Sequence, residues 1–266
     1  MKKKLNVGAL ISGGGTNLQA IIDACRRGKI DAKIVFVGSD NPDAYGIQRA
    51  GKYHIPTFIV DYRSIIRQVK ENPSALPPPD DFDLQTQLQK QTLFGSDTDP
   101  QRVRDFMITR AIAEARLLEE MKPYKFDLLV LAGFMRNFSP YFIDKVNTNP
   151  ELPRIMNIHP ALLPSFPGVD GYGDTFRYGC KVGGCTVHFV DYGEDSGPII
   201  GQRAFKIFPH DTIESIKERG LKLEWELYPE CIQLYAEGRL KVVRKTYQMR
   251  AGKTWTRAVV EILPPG

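Results

Sequence analysis

The sequence has little cysteine, and the cysteines it has do not form a framework. Cys25, Cys180, Cys185 and Cys231 are scattered along 266 residues, which excludes a small fold held together by disulfide bonds. A zinc site built from Cys180, Cys185 and His188 is the alternative, but their spacing fits no common zinc finger and a fourth ligand is missing. We therefore expect buried apolar cysteines, no metal, and a reducing, cytoplasmic environment.

Long apolar runs and large blocks of one charge are also missing. No stretch approaches the ~18 apolar residues of a membrane span. The run Leu5–Ile11 follows the basic residues Lys2, Lys3 and Lys4 as a signal peptide would, but Asn6 interrupts it and a polar Ser-Gly-Gly-Gly ends it, so a buried strand is favoured. The net charge of +5 suits small anions as well as nucleic acid. We expect small-molecule partners, no nucleic acid and no membrane, in a monomer or homodimer.

Apolar runs alternate with helical patterns through most of the chain. Strands are predicted at Leu5–Ile11, 32–38, 57–60, 126–134, Ile155–His159, 185–191 and 197–207, the last antiparallel to its neighbour. Helices are predicted at 18–25, 45–53, 102–121 and 139–145, and a last one is expected to run from a capping box of Asp211 and Glu214, past a soft point at Gly220, toward Gly238. Nearly continuous apolar strands predict an α/β, mostly parallel sheet with helices on both faces.

One polar, proline-rich segment breaks this rhythm. Residues 72–101 are interpreted as an inserted surface loop with a short helix at 84–93. The expected organisation is a single domain over residues 1–243 that includes this insertion, followed by a peripheral C-terminal extension, 244–266.

A glycine-rich turn, "SGGGTN" at 12–17, lies between the first strand and the first helix. Glycines let the backbone approach an anion, and the helix N-terminus offers free N–H groups, so a phosphate is the natural ligand. The NTPase P-loop is excluded because no Lys-Ser/Thr follows, and the dinucleotide fingerprint is weak because Leu18 stands where its third glycine would be. A tight turn without a ligand is the alternative.

An amide and an imidazole occupy alternate positions at the end of a predicted strand. Asn157 and His159 point to the same side of Ile155–His159, and Pro160 forces the chain out of the sheet. This pattern is typical of a reaction centre, and equally of an ordinary hydrogen-bonded pair. The other histidines, His54, His188 and His210, are interpreted as structural.

Four motifs occur in one order: "ISGGGTNLQAIIDAC", "LAGFMRNFSP", "NIHPALLPSFPG" and "GCTVHFVDYGEDSGPII". Together they resemble the folate-dependent formyltransferase family, and within it the phosphoribosylglycinamide formyltransferases, over about residues 5–61 and 106–243. The resemblance implies a Rossmann-like formyltransferase fold. It also implies transfer of the formyl group of 10-formyltetrahydrofolate, the co-substrate, to the amine of glycinamide ribonucleotide in purine biosynthesis, without a metal.

The resemblance also implies roles for particular residues. It implies a catalytic trio of Asn157, His159 and Asp195. It implies a substrate phosphate site of Gly14, Gly15, Thr16 and Asn17, and a glutamate near the substrate amine, Glu224. It implies a folate pocket of Met135, Arg136, Asn137, Phe138, Tyr192, Gly193 and Glu194.

The chemistry of these residue types agrees with such a transfer. A tetrahedral intermediate carries a negative oxygen, which Asn157 and a proton-donating His159 can stabilise. A carboxylate beside the imidazole, assigned to Asp195, can orient it, raise its pKa and relay a proton through water. No partnered base makes Ser165 or Ser196 a covalent nucleophile.

Departures from the family pattern leave alternatives open. Asp170 and Tyr172 stand where the family often has histidines, and the arginine expected for the phosphate or ribose is Arg102, Arg104 or Arg110. The alternatives are hydrolysis of the formyl-folate, formylation of another amine and, least favoured, a folate or nucleotide sensor without catalysis.

Overall fold

A seven-stranded sheet forms the centre of the fold in a computed structural model that describes residues 4–265, the side chain of residue 251 excepted. Its strands lie in the order β3-β2-β1-β4-β5-β6-β7. The first five are parallel, and β6 and β7 are antiparallel to their neighbours. The strands are β1 (Leu5–Ile11), β2 (Ala32–Ser39), β3 (Thr57–Ile59), β4 (Leu128–Leu131), β5 (Ile155–His159), β6 (Val182–Phe189) and β7 (Ile199–Lys206). The mostly parallel α/β sheet predicted from the sequence is confirmed.

Eight α-helices are described along the chain, on both sides of the sheet. They are α1 (Thr16–Arg26), α2 (Tyr45–Gly51), α3 (Tyr62–Glu71), α4 (Leu84–Lys90), α5 (Pro100–Met121), α6 (Pro140–Val146), α7 (Gly171–Arg177) and α8 (Ile213–Ala236). In the described part of the chain, no helix is long and apolar enough to cross a membrane. Helices α3 and α7 have no counterpart among the predicted elements.

Two apolar cores lie on opposite faces of the sheet because alternate residues of a strand point to opposite sides. On β1, Val7 and Ala9 contribute to the core that contains Leu18 of α1 and Tyr228 of α8. Leu10 of the same strand contributes to the other core, with the buried faces of α3, α5 and α6. Burial on both faces explains why the strands are apolar almost throughout.

The start of α8 differs from its prediction. Asp211 and Glu214 do not form the capping box; Thr212 is the N-cap, and it exchanges hydrogen bonds with Ser215. Asp211 instead accepts hydrogen bonds from the guanidinium of Arg219 and from the backbone N–H of Phe208. The prediction was wrong because a Thr-x-x-Ser pair overlaps the Asp-x-x-Glu pair and satisfies the same backbone groups.

Helix α8 continues through Gly220, and this glycine makes room for a neighbouring ring. A Cβ built on Gly220 would lie 2.2 Å from Cζ of Tyr172. The ring of Tyr172 in α7 therefore packs against the backbone of α8 at this residue.

The segments outside the predicted sheet are ordered as well. Within residues 72–101, helix α4 begins at Leu84 as predicted, and α5 begins earlier than predicted, at Pro100. The C-terminal residues form an antiparallel hairpin of β8 (Leu240–Gln248) and β9 (Thr254–Ile262). This hairpin reaches the main sheet's loops through Arg257, which donates to the carbonyl of Ser196 at 3.0 Å.

The strand order places a crevice at one edge of the sheet. From β1, the chain proceeds to β2 and β3 on one side, whereas β4 and β5 lie on the other, so the order reverses between β1 and β4. In open α/β sheets, ligands bind outside the carboxyl ends of the strands at such a point. The turn after β1 and the loop after β4 meet there, where Ser12 N–H bonds to the carbonyl of Gly133 at 2.9 Å.

Candidate active site

A cavity of about 390 Å³ occupies this crevice. Its floor is the end of β5, where Asn157 and His159 line it together with Asp195 from the loop after β6. Its size lies within the ~300–1,000 Å³ typical of small-molecule sites. The sequence thus brings three distant polar side chains to one place, at the exit of the strand that Pro160 terminates.

Both ring nitrogens of His159 face oxygen acceptors. Nδ1 lies 3.1 Å from Oδ2 of Asp195, and Nε2 lies 2.7 Å from the carbonyl of Phe166. Burial alone would lower the pKa of His159, but the hydrogen bond and charge of Asp195, with the Phe166 carbonyl, outweigh it and raise the pKa. Since both nitrogens can donate only when the ring is protonated, the site favours the imidazolium.

Asp195 is held in its ionised form by the groups around it. Burial would raise its pKa, but the hydrogen bond and charge of His159 and the hydrogen bond from the N–H of Gly168 bring it well below its usual range. Its backbone is left-handed, with φ 48°, and so is that of Phe166, with φ 56°. Both residues that contact the His159 ring therefore carry backbone strain, which non-glycine residues retain only where the surroundings enforce it.

Asn157 and His188 are cross-strand neighbours. They are paired in the antiparallel register of β5 and β6, and Asn157 Nδ2 lies 3.2 Å from Nε2 of His188. His188 Nδ1 donates to the carbonyl of Phe189, so its Nε2 can accept from the amide of Asn157. Asn157 Nδ2 also donates to Oδ1 of Asp195 at 3.4 Å. Four side chains, not three, therefore form one hydrogen-bonded group.

One end of the cavity is built around a buried carboxyl group. Glu224 of α8 accepts hydrogen bonds from Asn17 Nδ2 at 2.7 Å and from the hydroxyl of Tyr172 at 2.6 Å. Burial raises the pKa of Glu224 above its ordinary value, against the two hydrogen bonds. The Oδ1 atom of Asn17 is buried and has no protein partner. This end of the cavity therefore carries the carboxyl group of Glu224, and the Oδ1 atom of Asn17 beside it is enclosed by protein.

The glycine turn approaches this end from the side of α1. Gly15 is left-handed, with φ 67°, and a Cβ there would lie 2.8 Å from the Cα of Gly46, so only glycine fits. No side chain caps the N-terminus of α1, and a Cβ on Gly14 would meet nothing within 4 Å. The turn thus has free N–H groups and space beside it. Asn17 is the member of this turn that lines the cavity.

The opposite end of the cavity has a wall formed by the segment after β4. Met135, Arg136, Asn137 and Phe138 line it, together with Gly193 and Glu194 of the loop after β6. Asn137 Nδ2 donates to Oε1 of Glu194 at 3.0 Å, which joins the two segments.

Arg136 is held rather than free. Its Nε lies 2.5 Å from Oδ2 of the buried Asp40, and its guanidinium lies over the ring of Tyr62 at 5.8 Å. The ion pair and the ring therefore fix the position of the cation in the cavity wall.

A polar group is buried behind this wall, between α5 and α6. Glu114 is fully buried and accepts hydrogen bonds from the N–H and the hydroxyl of Ser139. Burial raises its pKa to about 8, although the bonds with Ser139 and the charge of Arg110 lower it. None of the three arginines predicted as candidates for the ligand, Arg102, Arg104 and Arg110, lines the cavity in the described part of the chain. Arg110 is buried, with its guanidinium over the rings of Tyr62 at 5.4 Å and Phe106 at 4.7 Å.

Most of the predicted site residues meet in the cavity, and a few do not. Its lining includes Asn157, His159, Asp195, Asn17, Glu224, Met135, Arg136, Asn137, Phe138, Gly193 and Glu194. Thr16 lines a separate cavity between α1 and α8, and Tyr192 directs its hydroxyl to Asp144 at 2.5 Å. Gly14 lies beside α2, where its carbonyl accepts from Arg49 Nε at 2.8 Å.

His188 and Tyr172 are two of the lining residues that were not predicted for the site, and both contact residues that were. His188 is a buried strand residue, as predicted, but it also contacts Asn157 and Asp195; only the register of β5 against β6 reveals this. Tyr172 reaches Glu224 because Gly220 leaves space for its ring. Among the described residues, no group of three or more His, Cys, Asp or Glu side chains is arranged to hold a metal.

Comparison with known proteins shows a consistent likeness. A family model described as formyl transferase matches residues 5–232. The chain is 34% identical over 222 residues, 84% of its length and 90% of the relative, to phosphoribosylglycinamide formyltransferase of Bacillus subtilis. It is 33% identical over 238 residues to the Escherichia coli protein of that name, covering 90% of each chain.

Solved structures give the same result. Glycinamide ribonucleotide transformylase 1 of Symbiobacterium toebii superposes with a TM-score of 0.71 at 35% identity, covering 99% of this chain and 96% of that one. Phosphoribosylglycinamide formyltransferase of Coxiella burnetii superposes with a TM-score of 0.68 at 31% identity, covering 95% and 93%.

Proposed function

The chain belongs to the formyl transferase family, and from this premise we propose that it transfers the formyl group of 10-formyltetrahydrofolate to the amine of glycinamide ribonucleotide in purine biosynthesis. The reaction proceeds by direct attack of the amine on the formyl carbon, through a tetrahedral intermediate. The observation that carries this proposal is the contact of Asn157, His159 and Asp195 at the floor of one cavity.

The developing negative oxygen is stabilised by Asn157 and the protonated His159. Oxyanion stabilisation needs donors that are in place before the reaction, in a site from which water is largely excluded. In the structure, the Asn157 amide donates over 3.2 Å and 3.4 Å, and His159 Nε2 is bonded to Phe166. Catalytic hydrogen bonds are often long, or made to other protein groups, before substrate binds. In the complex they shorten or are replaced by hydrogen bonds to the substrate.

Asp195 orients the imidazole and keeps it charged. Its Oδ2 also accepts from the N–H of Gly168 at 2.9 Å, which fixes the carboxylate against the ring. The amine gains positive charge as it attacks and must lose a proton, whereas the departing folate nitrogen must gain one. The ionised Asp195, beside His159, moves this proton through water.

The acceptor occupies the end of the cavity that contains Glu224. Its phosphate binds at Gly14, Gly15, Thr16 and Asn17, because the uncapped N-terminus of α1 favours an anion and the glycines leave space for it. Its amine lies near Glu224.

The folate occupies the opposite end. Met135, Arg136, Asn137 and Phe138 form one wall, and Tyr192, Gly193 and Glu194 form the loop at its edge. The side chains of Asn137 and Glu194, which are hydrogen-bonded to each other, place polar groups at this end of the cavity. Such groups select a heterocycle that forms hydrogen bonds along one edge, as the folate does.

The test is the consumption of 10-formyltetrahydrofolate by the purified protein with and without glycinamide ribonucleotide. We expect consumption only with the acceptor and one formylated ribonucleotide for each tetrahydrofolate released. Release of formate at the same rate without the acceptor would identify a hydrolase instead. Consumption supported by another amine and not by glycinamide ribonucleotide would contradict the assigned acceptor.

A further inference from the structure

The end of the inserted segment reaches the donor end of the cavity. Leu93 lines the cavity with Asn137, Gly193 and Glu194, although it lies outside every motif that carries the family resemblance. It is half-buried, yet in the described part of the chain it belongs to none of the three buried apolar clusters and does not pack against them. Packing in the core therefore does not account for the position of the Leu93 side chain at the cavity.

Two sets of contacts hold this end of the insertion in place. The N–H of Thr92 donates to the carbonyl of Tyr192 at 3.1 Å, and a Cβ on Gly193 would lie 3.0 Å from Oγ1 of Thr92. The insertion therefore packs closely against the backbone of the loop that also carries Asp195.

The second set of contacts runs through one carboxylate. Asp144 of α6 accepts from Lys90 Nζ at 2.6 Å and from the hydroxyl of Tyr192 at 2.5 Å. Lys90 ends α4 in the insertion and Tyr192 belongs to the loop after β6, so Asp144 joins the two segments. On the other side of Leu93, the ring of Phe94 packs edge-on against Phe106 of α5 at 5.0 Å. Leu93 thus sits in a short segment anchored on both sides.

We propose that the inserted segment forms the outer wall of the folate pocket, and that Leu93 is a specificity-determining residue that packs against the apolar part of the formyl donor. This inference rests on the proposed function, and it assigns a binding role to a part of the chain for which neither the motifs nor the comparisons supply one. A flat aromatic group would cover the exposed face of Leu93, while polar groups of the donor meet Asn137 and Glu194.

The test compares two leucines of the same insertion. Leu93→Ala removes the proposed donor contact. Leu76→Ala is the matched control, because Leu76 packs against the core on the α3 side and does not line the cavity. Leu93→Met is the conservative variant. The measurements are the KM for 10-formyltetrahydrofolate, the KM for the ribonucleotide acceptor, the affinity for tetrahydrofolate and the Tm.

For Leu93→Ala we expect about a tenfold rise in the donor KM and a matching loss of tetrahydrofolate affinity, since loss of an apolar contact in a pocket costs about tenfold or more. The acceptor KM stays within about twofold of wild type, Leu93→Met restores donor binding, and Leu76→Ala lowers the Tm without changing either KM. An unchanged donor KM in Leu93→Ala, or an equal rise in both KM values, overturns the inference. A different result overturns the proposed function itself: wild-type protein that consumes no 10-formyltetrahydrofolate when the amine acceptor is added. This result is independent of the comparison between the leucine variants.

Discussion

Nδ1 of His159 lies 3.1 Å from Oδ2 of Asp195, and each of the two groups shifts the ionisation of the other. The carboxylate raises the pKa of the imidazole against the effect of burial, and the imidazole helps to lower that of the carboxyl group. The pair is thus held as an ion pair within the cavity. The left-handed backbone of Asp195 and Phe166 places both acceptors around one ring.

The first prediction concerns the pH dependence of turnover. Because Asp195 raises the pKa of His159, the imidazolium persists to higher pH than in an isolated histidine and is lost as pH rises through the raised value. In Asp195→Asn, the burial that lowers the pKa is no longer opposed by the carboxylate. The falling limb of kcat/KM should therefore move to lower pH. Full pH profiles of both proteins check this, and an unmoved limb would be inconsistent with the pair.

The second prediction concerns Asn157. In Asn157→Ala, kcat should fall about 100-fold or more, because an oxyanion donor is lost, whereas the KM values change little. Asn157→Asp keeps the size of the side chain but removes its donor, so it should not restore turnover. Initial rates with both substrates, with the Tm as a check on folding, distinguish this outcome from general destabilisation. A kcat within a few-fold of wild type would argue against the role of the amide.

The third prediction concerns Tyr172 and Gly220. Tyr172→Phe removes the hydroxyl that bonds to Glu224 at 2.6 Å, and Gly220→Ala places a methyl group in the space of the Tyr172 ring. Loss of one partner of a buried carboxyl group costs about 1–3 kcal/mol. Both variants should raise the KM for the ribonucleotide acceptor and leave the KM for the folate donor near wild type. If the donor KM rises instead, the two ends of the cavity are assigned the wrong way round.

How much of this site can be predicted depends on which contacts are local. Asn157 and His159 are identifiable because strand alternation puts them on one face and Pro160 ends the strand. The pairing of Asn157 with His188 is not, because it requires the register of two strands that are far apart in sequence.

The same limit applies to the helices and the insertion. The capping residues of α8 were misassigned because two overlapping pairs compete for the same N–H groups, and only packing decides between them. The polar composition of residues 72–101 predicts a surface segment, but not that Leu93 turns toward the cavity. The parallel sheet, by contrast, can be predicted, because a strand that is buried on both faces is apolar almost throughout. This pattern is visible in each strand's own sequence, without knowledge of its neighbours.

The fourth prediction concerns stability. The pKa of Glu114 is raised to about 8 by burial, so between its ordinary value and about 8 the folded protein holds a proton that the unfolded chain releases. The protein is therefore most stable, as far as Glu114 is concerned, below the ordinary pKa of a glutamate. As pH rises from there to about 8, the free energy of unfolding falls by roughly 3–5 kcal/mol.

Glu114→Gln has no such proton to lose. Denaturant titrations at several pH values should show that the free energy of unfolding falls less over this range in the variant than in wild type. The same slope in both proteins would show that Glu114 is already ionised in the folded state at neutral pH.

The central claim is that His159 and Asp195 act as one catalytic unit at the floor of the cavity. The most direct measurement is a double-mutant cycle of kcat/KM with His159→Ala, Asp195→Ala and the double variant, in proteins whose Tm shows that they are folded. Residues that act as a unit are strongly non-additive, so the double variant should be about as slow as His159→Ala alone. If the two losses multiply instead, the residues act independently and the account is contradicted.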